Sequence, residues 1–204
     1  RRIRVLYPHA IILIKARLFS FFSSMKIAII GTHSTGKTTL CKLLHAKLTL
    51  SGIESYLIPE FARACPFPIN EGTTFEAQAW ILNEQMTREG FYASNPKRVI
   101  ICDRATIDNF AYMHHGFSRS QDISSFEESA VRHMSTYDLV FKTQKLDLAA
   151  TVDGVRSTDK EFRDRIDETI SALTQKHVLS IIDLAASLDY AVHVQKMQEH
   201  KKIV

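Results

Sequence analysis

Residues 31–38 read Gly-Thr-His-Ser-Thr-Gly-Lys-Thr and satisfy G-x-x-x-x-G-K-[ST] at every fixed position. No other feature limits the fold as strongly, because this pattern works only between a strand and a helix. Both flanks are present. Residues 26–30, Lys-Ile-Ala-Ile-Ile, form a short apolar run of the kind a parallel sheet buries on both faces. From Thr38 to Leu50, leucines at 40, 43, 44 and 48 recur at helical spacing. A chance glycine-rich turn would have no reason to carry these flanks.

Each fixed residue then has a physical task. Gly31 and Gly36 let the backbone curl so that successive N–H groups point inward at phosphate oxygens. Lys37 brings a point charge to the β- and γ-phosphates, and Thr38 offers a hydroxyl to Mg²⁺. The helix that follows aims its positive dipole end at the same anion. The expected nucleotide-binding set is Gly31, Ser34, Thr35, Gly36, Lys37, Thr38 and Thr39, with ATP or GTP and Mg²⁺ as cofactors.

The remaining strands and helices alternate. Strands are predicted at 53–58, 98–102, 138–141 and 178–182. Helices are predicted at 74–92, 105–115, 123–134 and 158–176, with a last helix after 182. On the helix 74–92, Phe75, Ala79, Leu82 and Met86 fall near one face. Such alternation predicts an α/β fold: a central parallel sheet of about five strands with helices on both faces. Ligands then bind at the carboxyl ends of the strands. Gly31, Glu60 and Asp103 each follow a predicted strand, so they are expected to converge on one crevice.

Composition narrows the class. At 204 residues the chain is long enough to bury a sizeable core as one domain. With 45% hydrophobic and 24% charged residues it reads as a globular protein, not a disordered one. Three cysteines, Cys41, Cys65 and Cys102, cannot all pair and have no metal-ligand spacing, which suits a reducing, cytoplasmic setting. The net charge is +4, yet no acidic residue precedes Glu54 while nine basic ones do. Much of that asymmetry lies in residues 1–24 and near the phosphate loop, so no nucleic-acid partner is expected. Residues 1–24 are apolar and basic, and Lys15 and Arg17 interrupt them, which leaves too short a run to span a bilayer. They read as an upstream extension of a domain beginning at Met25, or as an added helix. A targeting peptide or an amphipathic anchor is the other reading, and membrane contact is expected through this segment alone. The domain proper is expected at 25–204, with a homodimer as a further possibility.

Several residues outside the loop can carry chemistry. Val99-Ile100-Ile101-Cys102-Asp103 is an apolar strand ending in a carboxylate. Asp103 either organises Mg²⁺ and the nucleophile or caps the next helix. Arg104 beside it suits a second anion or a developing charge on a transferred phosphoryl group. Glu60 and Arg63 follow the second strand and face the acceptor, or simply start a solvated helix. Gln85, with Gln78, Phe75 and Trp80, offers amides and rings to read a base, or core packing. His33, inside the loop, reads as solvent-facing. The region 142–165 reads as a lid: Asp153, Arg156, Lys160, Arg163 and Arg165 either close over a nucleotide or form a charged helix face with the pairs Lys160–Asp164 and Glu161–Arg165.

The order of these motifs resembles the small P-loop nucleoside and nucleotide kinases, especially the nicotinamide riboside kinase domain of NadR and the related AAA-type ATPase/kinase group. It covers GTHSTGKTT at 31–39, PEFAR at 59–63, CDRATIDNFAY at 102–112, YDLVF at 137–141 and DGVRSTDKEFRDRID at 153–167. The resemblance implies a three-layer P-loop NTPase fold and transfer of a γ-phosphoryl group to a nucleoside-like or nucleotide-like acceptor. It also implies catalytic roles for Lys37, Asp103, Arg104 and Arg156, and a metal site at Thr38 and Asp103. The acceptor would meet Glu60, Arg63, Gln85, Asp108 and Arg163. The chain departs from the group near its last strand. Asp183-Leu184-Ala185-Ala186 replaces the usual glycine, and no arginine follows Arg165. A second reading, different in class, is a regulatory ATPase or GTPase-like protein with slow hydrolysis and a protein or membrane partner.

Overall fold

The computed structural model describes residues 24–69, 72–94, 98–145, 160–187 and 189–199. Five strands form one sheet: β1 (Met25–Ile30), β2 (Ser55–Ile58), β3 (Val99–Asp103), β4 (Leu139–Lys142) and β5 (Ile182–Asp183). All pair in parallel, in the order β2-β3-β1-β4-β5. Around it lie α1 (Lys37–Leu50), α2 (Phe75–Ala93), α3 (Thr106–Phe117), α4 (Ser124–Met134), α5 (Lys160–Lys176) and α6 (Tyr190–Glu199). A 3₁₀ turn, Phe61–Ala64, follows β2.

The apolar strands are continuous because both faces of the sheet are covered. Along β1 the side chains alternate between two cores. Ile27 and Ile29 pack with Leu40, Leu44 and Leu48 of α1 and with Val194 and Met197 of α6. Ala28 and Ile30 pack with Phe110 of α3, Ile81 and Leu82 of α2, Ala130 of α4 and Ile166 of α5. A one-residue slip of β1 would exchange the two sets. Pairing Ile29 with Asp103 in the sheet sets the end of β3 beside the start of the phosphate loop. The expected α/β architecture is therefore the one that forms.

Two local expectations need correction. The last strand is Ile182–Asp183, shorter and later than 178–182. Residues 178–181 are spent on the reversal after α5: Val178 takes φ 50°, and Leu179 N–H donates to Thr174 O at 2.9 Å. A β-branched residue with positive φ is rare, and no glycine marks the turn in the sequence. The buried face of α2 is Ala77, Gln78, Ile81, Leu82, Gln85 and Glu89, while Phe75, Ala79 and Met86 are only partly buried against the core. Of the expected helix-face pairs, Glu161 pairs with Arg165, and Asp164 feels the charge of Lys160 while also bonding Lys145 at 2.9 Å. Among the described residues no helix is long and apolar enough to cross a membrane. The expectations for residues 1–23, and for Asp153 and Arg156 in the lid, lie outside the described residues.

Candidate functional site

The chain leaves β1 at Ile30 and enters α1 at Lys37 through a loop with three positive φ values: 134° at Gly31, 59° at Ser34 and 83° at Gly36. Such alternation turns successive N–H groups toward one concave side, which is an anion-binding geometry. The two glycines are also hemmed in. A Cβ on Gly31 would stand 2.7 Å from Thr143 Oγ1, and one on Gly36 would meet the Tyr190 ring at 2.8 Å from Cε1. Thr35 Oγ1 lies 2.7 Å from Thr143 Oγ1 and 3.1 Å from Thr32 O, so its side chain braces the loop against the end of β4. Ser34 Oγ is buried with no hydrogen-bond partner among the described residues. Thr39 is exposed on α1.

Lys37 is buried, and its Nζ donates to Thr32 O at 2.5 Å. Burial first, and Arg104 second, push its pKa down to about 8. Thr38 Oγ1 donates to Asp103 Oδ2 at 2.5 Å. Asp103 Oδ1 is buried with no partner among the described residues. Asp103 caps no helix: α3 starts after Ala105, whose N–H donates to Asp108 Oδ1 at 2.7 Å. A hydroxyl beside a carboxylate with an unpaired oxygen, at the foot of an anion loop, fits Mg²⁺, which takes few protein ligands and keeps water and phosphate oxygens.

Arg104 follows Asp103 directly and has φ 102°. A non-glycine residue there costs on the order of 1–3 kcal/mol and persists only where its surroundings over-determine it. They do so here. Its N–H donates to Ile29 O at 3.2 Å, and its carbonyl accepts from Gln85 Nε2 at 2.8 Å. Nε and Nη2 approach Glu60 Oε1 at 2.8 and 2.7 Å, and Nη1 lies 3.5 Å from Asp108 Oδ2. The guanidinium also covers the Tyr112 ring at 4.8 Å. Burial alone would lower its pKa; Glu60, Tyr112 and Asp108 outweigh burial and hold it well above its ordinary value. Burial in turn lifts the Asp108 carboxyl to about 6, against the pull of Arg104 and Lys37.

Arg104, Glu60 and Tyr112 line a cleft that opens to solvent. Glu60, Arg104, Asn109 and Gln78 supply its polar edge. His33, Tyr112, His115 and Phe162 supply an aromatic side, with the Phe162 ring 5.9 Å from His33 and 5.2 Å from His115. Burial, with the nearby charge of Arg165, lowers the pKa of His115 below the ordinary imidazole value.

The sequence-predicted residues fall into two groups. Gly31, Lys37, Thr38, Glu60, Asp103 and Arg104 do converge at the carboxyl end of the sheet. Arg163 is buried next to the phosphate loop, where its carbonyl accepts from Thr32 Oγ1 at 3.1 Å. Arg63 is exposed on the 3₁₀ turn and does not line the cleft. Gln85 and Asp108 do not face it either. Both are buried, with Gln85 2% and Asp108 0% exposed, and their polar atoms hold Arg104, Ala105 and Asn109. Gln78 is the amide of α2 that reaches the cleft. Phe75 packs against Phe117 and Phe126 in the core, and Trp80 is partly buried there too. His33 is buried in the wall, not solvent-facing. Phe162 and Tyr190 went unnoticed because nothing in their local sequence separates a site aromatic from a core one. Glu89 had a signal: Gln78, Gln85 and Glu89 are polar residues on the stripe of α2 that also carries Ile81 and Leu82.

A parallel sheet with a phosphate loop after its central strand, an Asp-Arg pair on the neighbouring strand and a cleft beside them is the fold of the P-loop nucleoside and nucleotide kinases. The chain belongs to the AAA domain family, whose model matches residues 26–190. No curated protein matches it. Among solved structures it is similar to thymidylate kinase from Ehrlichia chaffeensis, with TM-score 0.61 and 18% identity over 87% of this chain and 98% of that one. Deoxyadenosine kinase from M. mycoides, solved with the products dCMP and dCDP, gives TM-score 0.61 and 16% identity over 88% and 100%. NadR in complex with NAD and AMP-PNP gives TM-score 0.64 and 18% identity, covering 92% of this chain. The chain spans about half of NadR, 52% of its length.

Proposed function

We propose that this protein is an ATP-dependent kinase, with GTP as the other possible donor, that transfers a γ-phosphoryl group to a nucleoside-like or nucleotide-like acceptor. The observation that carries this reading is the second cleft. A protein that only held or hydrolysed a nucleotide has no use for a second pocket next to the phosphate loop. Here such a pocket shares Arg104 with the Asp103 strand end and His33 with the loop.

In this reading the donor's phosphates rest on the N–H groups of residues 31–38, with Lys37 swinging from Thr32 O to the β- and γ-oxygens. Mg²⁺, held by Thr38 and Asp103, would neutralise charge on the phosphates. The acceptor's ring system lies against Tyr112 and Phe162, and Gln78 and Asn109 meet its polar edge. Its hydroxyl points toward Glu60 and Asp103, in line with the departing phosphate. Arg104 stabilises the charge that develops on the transferred group, and positive charge from Arg156 and Arg163 adds to it. Tyr190, against Gly36, borders the donor side.

The test is ADP release from Mg-ATP with and without a panel of nucleosides, nicotinamide riboside and nucleoside monophosphates. Stimulation by one acceptor, with its phosphorylated product seen by mass, is the expected result. Slow hydrolysis indifferent to every acceptor would overturn the kinase reading in favour of a regulatory nucleotide-binding protein.

A further inference from the structure

We propose that Gln85 and Glu89 are positioning residues for Arg104, clamping its backbone so that its guanidinium stands in the cleft. The role given to Arg104 rests on the kinase reading; the clamp itself does not.

The clamp starts in the core. Glu89 is 0% exposed and both its oxygens are taken. Oε2 accepts from Lys26 Nζ at 2.9 Å and lies 2.8 Å from His133 Nε2. Oε1 accepts from Tyr137 OH and from Gln85 Nε2, each at 2.8 Å. These contacts fix which way the Gln85 amide faces. Nε2 then donates to the Arg104 carbonyl at 2.8 Å, and Oε1 accepts from Asn109 Nδ2. Asn109 lines the cleft. One helix turn of α2 thus carries order from a buried charge to two cleft residues.

Packing alone does not call for this arrangement. Buried ion pairs are commonly replaceable by apolar side chains of similar volume without loss of stability. What an apolar stripe on α2 could not supply is a donor for the Arg104 carbonyl. That carbonyl belongs to a residue at φ 102°, where an arginine relaxes to another conformation if nothing holds it. The guanidinium contacts to Glu60, Asp108 and Tyr112 hold the far end of the side chain, and Gln85 holds the near end. Displacing a charge-stabilising group by about 1 Å can cost roughly 100-fold in rate.

Gln85→Met keeps the side-chain length and removes the amide. The variant is compared with the parent in kcat and in KM for Mg-ATP and acceptor, alone and combined with Arg104→Ala. The expected result is a roughly 10- to 100-fold fall in kcat, with KM for ATP within about twofold. In the Arg104→Ala background, Gln85→Met is expected to change kcat by less than about twofold, because both changes remove the same function. An unchanged kcat, or an equal loss in both backgrounds, would overturn the proposal. A second readout does not depend on turnover. The ¹⁵N-labelled Nε–Hε signal of Arg104, assigned by its loss in Arg104→Lys, is expected to be slow to exchange in the parent and to shift and exchange faster in Gln85→Met. An unchanged signal would overturn the clamp even if no acceptor is ever found.

Discussion

Lys26→Met probes the charge that stands behind the site. Lys26 is 5% exposed on β1, and its Nζ reaches Glu89 Oε2 at 2.9 Å and Thr136 Oγ1 at 2.6 Å. Without the ammonium, the Glu89 carboxylate keeps only His133 as a partner that can be charged. Removing one member of a buried ion pair costs about 3–5 kcal/mol. Methionine fills the volume of the lysine stem and the His133 contact to Glu89 remains, so the low end applies, about 3 kcal/mol. In a domain of this size that lowers the melting temperature by roughly 6–12 °C. The pH dependence follows from Glu89. Burial raises its pKa, but the His133 hydrogen bond, Lys26 and Gln85 outweigh burial and leave it below 4.5. A depressed carboxylate contributes stability above its unfolded pKa and loses it as pH falls through the folded value. In Lys26→Met burial has less to oppose it, so the Glu89 pKa rises and the deficit shrinks as pH falls from about 8 to about 5. Adding Glu89→Gln to Lys26→Met recovers most of the loss at pH 8. Thermal melts of the nucleotide-free protein at both pH values measure this. A melting temperature within about 1 °C of the parent, or a pH-independent deficit that Glu89→Gln fails to relieve, would refute the reasoning.

Two further predictions concern the phosphate loop and the end of β3. Lys37 has a pKa of about 8 in the free protein, and bound phosphates raise it, so nucleotide binding takes up a proton above pH 8 and weakens as pH rises toward about 10. Calorimetry in buffers of different ionisation enthalpy reads the uptake; Lys37→Ala abolishes it along with turnover, and pH-independent affinity in the parent would contradict the assignment. Asp103→Asn is expected to keep nucleotide binding without Mg²⁺ while losing roughly 100-fold or more in transfer rate. Transfer at the parent's rate would leave Asp103 no role beyond bonding Thr38.

The phosphate loop and the sheet were readable because their causes are local. A run such as Val99-Ile100-Ile101-Cys102 signals a strand because both of its faces must be apolar, and the fixed loop residues answer to backbone geometry within eight positions. What escaped depends on contacts between distant parts of the chain. The φ of Arg104 is set by Ile29, Glu60 and Gln85, and no window around residue 104 contains them. Gln85 was read as an amide for a base or as core packing, because the sequence alone did not tell a residue that touches a ligand from one that bonds its neighbours. His33 reads as exposed until Phe162 of α5 is brought against it. The turn at Val178 was missed because its positive φ is borne by a residue type that ordinarily avoids it.

The closeness of Tyr190 to Gly36 has a consequence for how the protein comes into being. The loop that would hold the nucleotide belongs to the first strand and helix of the described domain, while the ring that covers it opens α6, the last helix described. A ribosome releases the two far apart in time. A nascent chain stopped anywhere before Tyr190 carries the full loop motif, yet the loop lacks its cover and α1 lacks the apolar face that Val194 and Met197 complete. Competence at the phosphate loop is therefore expected to wait until α6 has been made and has docked, well after the motif itself has left the ribosome.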